Sequence, residues 1–175
     1  DTAHLLRCVA ERNTPVLITS SSEVYGKSNR VPFREDDDVT YGSTTFNRWS
    51  YAMAKALDEY LALAHYQQSG LPVVIARLFN TVGPRQIGQY GMVVPRFIEN
   101  ALSNQPIEVY GTGRQTRCFG HVSDVASALP RLLGTQACWG RVFNLGSDEE
   151  VSIREMAERV IAATGSTGGV RYVPY

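Results

Sequence analysis

The sequence has few cysteines and histidines, and they are scattered. Its 175 residues include three of each. Cys8, Cys118 and Cys138 are an odd number at wide spacing, which favours the reduced thiols of a cytosolic protein over a disulfide framework or a zinc site. The histidines stand equally far apart, whereas a metal centre needs clustered ligands. We therefore predict a cytoplasmic protein without a metal site.

An excess of positive charge and a long apolar run are also missing. Lys plus Arg and Asp plus Glu number 17 each, so the chain lacks the basic signature of nucleic-acid-binding proteins. The longest apolar runs are far too short to span a bilayer. Since 43% of the residues are hydrophobic and 19% are charged, the composition is typical of a globular domain with a sizeable core. We predict neither a nucleic-acid partner nor a membrane partner.

A long amphipathic helix stands between two apolar runs. Residues 15–19 and 71–79 are rich in β-branched residues and predict buried strands. Between them, residues 49–70 carry apolar side chains at helical spacing, and Gly70 before Leu71-Pro72 predicts the end of the helix. The order strand, loop, helix, strand predicts a right-handed crossover in a parallel sheet. The fold class is therefore α/β.

Shorter elements surround this unit. We predict helices at 4–12, 94–102, 124–133 and 152–164, and strands at 107–110, 116–122, 141–145 and from 171 onward. Ser152 with Glu155 has the spacing of a capping box at the start of the last helix.

Polar residues follow both apolar strands. Residues 20–23 follow the first strand and residues 80–85 follow the second. Ligands of parallel sheets bind beyond the carboxyl ends of the strands. The helix with Tyr51 and Lys55 lies between these clusters in the sequence. We therefore predict a binding site at this edge of the sheet.

Tyr51 and Lys55 are four residues apart, so they share one face of the predicted helix. An ammonium group near a phenol favours the phenolate, and a tyrosine can then act as a base near neutral pH. Tyr-x-x-x-Lys also occurs often by chance. The alternative is an ordinary amphipathic helix whose tyrosine packs and whose lysine is solvated.

Five motifs follow one another along the chain. They are Ser20-Ser-Ser-Glu-Val-Tyr-Gly26, Tyr51-x-x-x-Lys55, Arg77-Leu-Phe-Asn-Thr-Val-Gly-Pro-Arg85, Tyr110-Gly-Thr-Gly-Arg-Gln-Thr-Arg117 and His121-Val-Ser-Asp124. In this order they resemble the extended short-chain dehydrogenase/reductases, specifically the NAD-dependent nucleotide-sugar epimerase/dehydratase family. The resemblance covers essentially the whole chain, and the series is far more specific than any single motif.

The resemblance implies a partial Rossmann-like parallel sheet with a small mixed α/β substrate-binding region. Residues 1–80 would form the C-terminal part of an NAD-binding Rossmann domain. Residues 81–175 would be mostly substrate-binding, with about 120–146 returning to the Rossmann sheet. NAD is the implied cofactor and a nucleotide sugar, a UDP-sugar, is the implied substrate. A homodimer through the tyrosine-bearing helix is implied for the full-length form.

The resemblance also implies roles for single residues. The catalytic residues would be Ser21, Glu23, Tyr51 and Lys55. The cofactor-binding residues would be Ser20, Tyr51, Lys55, Leu78 and Phe79. The substrate-binding residues would be Asn80, Arg85, Val94, Tyr110 and Arg117. Bland alternatives are turn chemistry for Ser21, core packing for Tyr110 and a surface turn for Arg117.

One family feature is missing from these residues. The strand, glycine-rich turn and helix that bind the NAD pyrophosphate should precede the first helix, and no G-x-x-G-x-x-G pattern is present. Asp1 falls within an expected helix and Tyr175 within an expected strand. We therefore interpret the chain as an internal fragment of a longer enzyme.

The Ser22-Glu23 pair bears on the reaction. The resembling dehydratases have Asp before Glu, and Ser22 lacks the acidity to protonate a leaving hydroxyl, so water elimination is disfavoured. UDP-glucuronate decarboxylases have Ser then Glu, whereas many 4-epimerases have no Glu here. Alternatively, Glu23 only orders its loop by hydrogen bonding.

We predict an isomerase, a UDP-hexose or UDP-uronate 4-epimerase that works through a 4-keto intermediate. A lyase, UDP-glucuronate decarboxylase, is the alternative. A non-catalytic Rossmann-type binding or sensor protein is the alternative of another class. Such a protein does not need Ser21, Tyr51 and Lys55 together.

Overall fold

The computed structural model describes residues 2–89 and 92–174. Asp1 is expected within a helix and Tyr175 within a strand, and both residues lie outside the described ranges. The chain divides into two compact units. The first unit is Asp1–Phe79 with Ser123–Gly146, and the second is Asn80–Val122 with Ser147–Tyr175. What each unit binds stays a prediction.

Helices and strands are interspersed along the described residues. In order they are α1 (Thr2–Ala10), β1 (Val16–Ser21), α2 (Ser50–Ser69), β2 (Val73–Leu78), β3 (Thr81–Val82), α3 (Val93–Leu102), β4 (Ile107–Tyr110), β5 (Thr116–Cys118), β6 (Gly120–His121), α4 (Val122–Gly134), β7 (Arg141–Leu145), β8 (Glu150–Ser152), α5 (Ile153–Thr164) and β9 (Val170–Val173). None of the helices in this part of the chain has the length and apolar character that crossing a bilayer requires.

A three-stranded parallel sheet forms the centre of the first unit. The strand order is β1-β2-β7, and the register runs from Val16 opposite Val73 to Ser21 opposite Leu78. Residues 73–76 of the middle strand are fully buried, as expected for a parallel strand covered on both faces. The predicted α/β crossover, β1-α2-β2, is confirmed.

Helix α2 carries the predicted Tyr-Lys pair and ends where the sequence predicts. Gly70 adopts a left-handed conformation with φ of 72°, and its N–H donates to the carbonyl of Tyr66 at 2.9 Å. Only glycine takes this conformation without strain, which is why the helix stops here. Ala52, Ala56 and Ala62 are buried on its inner face.

The described residues of the second unit form three short strand pairs and two helices. β3 pairs with β6 and β4 pairs with β9, both in parallel, while β5 and β8 are antiparallel. Helices α3 and α5 cover the β4-β9 pair. The buried core contains Phe97, Ala101, Ile107, Val109, Ile153, Ala157 and Val160.

Three sequence-based predictions need correction. The strand expected at 116–122 is two strands, because β5 pairs with β8 whereas β6 pairs with β3, and Val122 already belongs to α4. The first strand extends through Ser21, so the serine cluster begins on the strand itself. The first helix occupies Thr2–Ala10 instead of 4–12.

The capping box at α5 is only half formed. The Ser152 hydroxyl accepts a hydrogen bond from the Glu155 N–H at 3.1 Å, as predicted. The Glu155 carboxylate does not return to Ser152, because it accepts from Arg159 at 2.7 Å, one turn later.

Candidate active site

Ser21 occupies the carboxyl end of β1 and is half-buried. Its hydroxyl oxygen accepts a hydrogen bond from the Glu23 N–H at 3.2 Å and so caps a 3₁₀ turn over Ser22–Tyr25. The turn chemistry considered as an alternative is therefore present. That bond uses only a lone pair, so the hydroxyl proton of Ser21 can still be donated to a ligand.

Ser20, which is predicted to bind the cofactor, has a side chain that already has a partner in the protein. It is buried, and its hydroxyl donates to the Glu59 carboxylate inside the first unit. The side chain therefore has a structural partner, and any contact of this residue with a cofactor is left to its main chain. Neighbouring strand residues point to opposite faces, which explains why Ser20 and Ser21 differ.

Tyr51 and Lys55 lie on the first two turns of α2. The Lys55 ammonium donates to the carbonyl of Thr19 at 2.8 Å and stands 6.0 Å from the centroid of the Tyr51 ring. Tyr51 is 51% exposed. Both features differ from the ordinary amphipathic helix, in which the tyrosine would pack and the lysine would be solvated.

The side chain of Glu23 is exposed next to this strand end. Among the residues the structure describes, none forms a hydrogen bond or an ion pair with its carboxylate. Its main-chain N–H and carbonyl bond to Ser21 and Gly26. No observed contact therefore supports the alternative in which the Glu23 side chain orders its loop.

Leu78 and Phe79, at the end of β2, are half-buried. The Phe79 ring lies 6.4 Å from the Tyr25 ring and 6.3 Å from the Phe33 ring, centroid to centroid. A Cβ added to Gly146 would stand 2.8 Å from the Phe79 Cβ, so only glycine fits beside this residue. Packing thus fixes the segment that the family resemblance assigns to the cofactor.

Arg85 and Val94 line one cleft of the second unit. The cleft has a volume of about 990 Å³ between residues 82–89 and α3. Arg85 has φ of 68°, a left-handed conformation that is uncommon outside glycine and clusters at ligand sites. The cleft is also lined by Ile98 and Leu102, which sequence analysis did not single out.

Three other predicted substrate residues do not line that cleft. The Asn80 amide donates to the carbonyl of Cys118 at 3.0 Å. Arg117 is exposed on β5, and its guanidinium donates to the Thr116 carbonyl at 2.7 Å. Tyr110 is 42% exposed, which differs from the core packing considered as its alternative.

Sequence analysis missed a buried ion pair in the first unit. Arg77 on β2 donates to both carboxylate oxygens of Glu59 on α2, and its Nη2 lies 2.7 Å from Oε2. Burial alone would lower the pKa of Arg77, but the hydrogen bonds to Glu59 outweigh it and the pKa is raised. Two signals were available: an arginine inside an apolar strand, and a glutamate one turn after Lys55.

Residues 2–89 and 92–174 contain no group of three or more His, Cys, Asp or Glu side chains that could hold a metal ion. That a metal is not required stays a prediction.

Comparison with known proteins identifies the family. The sequence model of the NAD dependent epimerase/dehydratase family matches residues 1–146. The chain belongs to this family. The family prediction and the Rossmann-like fold class are thereby confirmed, and so is the predicted cofactor class, NAD, at the level of the family.

Three relatives illustrate the range of the family. A UDP-N-acetyl-alpha-D-glucosaminuronate decarboxylase of Bacillus cytotoxicus is 43% identical over 175 residues, covering 99% of this chain and 54% of the relative. A UDP-N-acetylglucosamine 4-epimerase from Methanobrevibacter ruminantium, solved with UDP-N-acetylmuramic acid, superposes with a TM-score of 0.88 at 28% identity. A dTDP-glucose 4,6-dehydratase from Bacillus anthracis, solved with NAD, superposes with a TM-score of 0.82 at 30% identity.

Each of these alignments leaves much of the relative uncovered. Both solved structures cover 99% of this chain, and the chain covers 54% of each of them. The chain spans about half the length of the curated relative from Bacillus cytotoxicus. The relatives include a decarboxylase, an epimerase and a dehydratase, so family membership alone leaves the reaction open.

Proposed function

We propose that this chain provides the acid/base residues of an NAD-dependent enzyme that modifies a nucleotide sugar through a 4-keto intermediate. The placement of Tyr51 and Lys55 carries the proposal. Both lie on the first two turns of α2, and Lys55 is bonded to Thr19 beside the end of β1. Ser21 ends that strand with an available hydroxyl proton. A sensor protein would not need these three residues together.

The donor set at this strand end fits NAD. An ammonium group has three protons to donate, and Lys55 uses one on Thr19, so two remain for the hydroxyl groups of a ribose. Tyr51, Lys55, Leu78 and Phe79 would hold the nicotinamide half, together with the main chain of Ser20. NAD, when bound, would supply the oxidising and then the reducing equivalent at C4 of the sugar.

The chain's own residues would move the proton. Tyr51 is exposed, has the ammonium of Lys55 6.0 Å from the centroid of its ring, and would take the proton from the C4 hydroxyl. Ser21 would donate a hydrogen bond to the same oxygen and hold it in place. When the ketone is reduced, Tyr51 returns the proton.

The second unit would bind the nucleotide. Arg85 and Arg117 are exposed cations whose planar guanidinium groups match the oxygens of a diphosphate. Asn80 would contact the diphosphate, and Tyr110 and Val94 would contact the base. The exposure of Tyr110 supports a role outside the core.

We further propose a cytoplasmic homodimer that pairs through α2.

Of the two reactions left open, we propose decarboxylation of a UDP-uronate ahead of 4-epimerisation, which reverses the order favoured by sequence alone. The 43% identity to a UDP-sugar decarboxylase supports this order. So does Glu23, whose exposed carboxylate has no protein partner among the described residues. A C4 ketone makes the C5 carboxylate a β-keto acid, which loses CO₂ readily.

A 4-epimerase of a UDP-hexose or UDP-uronate is the second candidate. The TM-score of 0.88 to a 4-epimerase supports it, although the identity is only 28%. In that reaction the ketone rotates and is reduced from its other face, and nothing happens at C5. Glu23 would then be dispensable.

The test is to give the full-length protein UDP-glucuronate, UDP-N-acetylglucosaminuronate or UDP-glucose with NAD, and to follow CO₂ and the sugar by NMR. A pentose sugar with release of CO₂ is expected, and Glu23→Gln should then abolish most turnover. A C4-inverted product without CO₂ would establish the epimerase instead. Bound NAD without turnover of any nucleotide sugar would favour the sensor protein.

A further inference from the structure

The proposed chemistry makes no use of the most deeply buried charges of the first unit. Glu59 is 5% exposed and Arg77 is 6% exposed. Their contact is bidentate: Arg77 Nε lies 3.0 Å from Oε1 and Nη2 lies 2.7 Å from Oε2 of Glu59. Desolvating two charges is costly, and an apolar pair of similar volume is often as stable, so stability alone does not explain the pair.

This ion pair joins five parts of the first unit. The Ser20 hydroxyl on β1 donates to Glu59. Arg77 donates to the carbonyl of Glu35, in the loop before α2, at 3.2 Å. The Arg77 guanidinium also stands 4.8 Å from the centroid of the Tyr25 ring, in the turn after β1. Strands β1 and β2, the turn after β1, the loop before α2 and helix α2 thus meet at one pair of charges.

The position of Glu59 on α2 links the pair to the proposed active site. Tyr51, Lys55 and Glu59 follow one another at intervals of four residues, so they form a single stripe along the helix. Two members of the stripe are bonded to adjacent residues of β1. Lys55 donates to the Thr19 carbonyl, and Glu59 accepts from Ser20.

Two such contacts restrict how α2 can move. One hydrogen bond from a helix to a strand leaves the helix free to rotate about that point. Two bonds one turn apart fix both its rotation and its register along the strand. The bidentate fork of Arg77 adds direction, since a planar guanidinium donates to both oxygens of a carboxylate only in a narrow range of orientations.

We propose that Glu59 and Arg77 are positioning residues of the active site, which set the rotation of α2 against β1 and so the placement of Tyr51 and Lys55 relative to Ser21. The proposal rests on the proposed function of Tyr51 as the acid/base. Neither Glu59 nor Arg77 touches the substrate. Their effect on turnover passes entirely through the residues one and two turns earlier on the helix.

The test compares two changes of the pair with a control at the other end of β2, all in the full-length protein. Arg77→Lys keeps the charge and loses the fork, while Glu59→Gln keeps the shape and loses the charge. Leu71→Ala removes a fully buried side chain just before β2 and lowers stability without touching the stripe. Each protein is characterised by its Tm, kcat and KM. Fluorine NMR of a 3-fluorotyrosine at position 51 is recorded without substrate.

Arg77→Lys and Glu59→Gln should lower kcat by roughly 10–100-fold, because small misplacements of catalytic groups cost rates of this order. The KM for the nucleotide sugar should stay close to that of the wild type, and the fluorine resonance should shift. Leu71→Ala should lower Tm by as much as the other two changes do, and it should keep the wild-type kcat and fluorine resonance.

The proposal would be overturned if kcat fell in proportion to the loss of Tm in all three variants and the fluorine resonance did not change. The pair would then be a structural contact only. If the wild-type protein turns over no nucleotide sugar, the proposed function fails, but the fluorine comparison still decides. A shift in Arg77→Lys and not in Leu71→Ala supports positioning, and equal spectra contradict it.

Discussion

At the scale of single residues, the hydroxyl of Tyr51 carries the proposed chemistry. Tyr51→Phe removes this one oxygen and leaves the ring, so turnover by the full-length protein should fall by roughly 10²–10⁴-fold, the usual contribution of an acid/base group. Nucleotide-sugar affinity, measured by calorimetry, should barely change.

Tyr60→Phe is the matched control, since Tyr60 is another exposed tyrosine on α2 and loses the same atom. Its turnover should equal that of the wild type. Near-normal turnover of Tyr51→Phe would remove Tyr51 from the mechanism.

The shared helix face of Tyr51 and Lys55 could be predicted from the sequence, whereas the direction of the Ser20 side chain could not. Tyr51 and Lys55 were predicted together, because helical spacing alone puts them on one face. Ser20 was predicted to bind the cofactor, but strand alternation turns its side chain toward Glu59. A strand-end serine can be assigned to a face only when the end of the strand is known, and the sequence predicted an end two residues too early.

At the scale of elements, the C-terminus of α2 gives a test of backbone strain. Nothing lies within 4 Å of a Cβ added at Gly70 or at Gly134, the last residue of α4. Gly70 has a positive φ, whereas Gly134 does not. Gly70→Ala should therefore lower the free energy of unfolding by about 1–2 kcal/mol, the cost of a left-handed alanine.

Gly134→Ala is the matched control, because the added methyl group also meets no neighbouring atom and Gly134 has no positive φ. It should be neutral or raise the free energy of unfolding by about 0.4–1 kcal/mol, because alanine restricts the unfolded chain. Urea unfolding of both variants checks the pair. An equal loss of stability in the two would mean that the conformation of Gly70 is not what ends the helix.

Elements with strong local signals were predictable, and those defined by distant partners were not. Strand β2 is a continuous apolar run, and helix α2 is followed by the stop signal Gly70-Leu71-Pro72. Both signals are local in sequence. The predicted strand at 116–122 gave no local sign that its first half pairs with residues 150–152 and its second half with residues 81–82. Glu59 and Arg77 each had a local signal, but their pairing was missed because they are 18 residues apart and on different elements.

At the scale of the whole molecule, the outer face of α2 supports the proposed homodimer. Met53, Leu57 and Tyr60 are 43%, 58% and 68% exposed, and their spacing places them on one stripe of the helix. Clustered exposed apolar side chains of this kind mark interaction surfaces.

Leu57→Arg places a charge in the middle of this stripe and should convert a dimer to a monomer in sedimentation velocity. Tyr172→Arg makes a similar change at an exposed position of the second unit and should leave the dimer intact. A wild-type protein that sediments as a monomer, or a Leu57→Arg variant that still pairs, would contradict dimerisation through α2.

The central claim is that the full-length protein oxidises and then reduces the sugar at C4, and an isotope label tests this most directly. A UDP-uronate with deuterium at C4 is converted to completion, and the product is analysed by NMR. In both proposed reactions, decarboxylation and epimerisation, the C4–D bond breaks and the deuterium returns to C4. The labelled substrate should therefore turn over more slowly than the unlabelled one and give a product labelled at C4. Equal rates for the two substrates would contradict the claim. A product that has lost the label to water or carries it on another carbon would contradict the claim, as would the absence of any turnover.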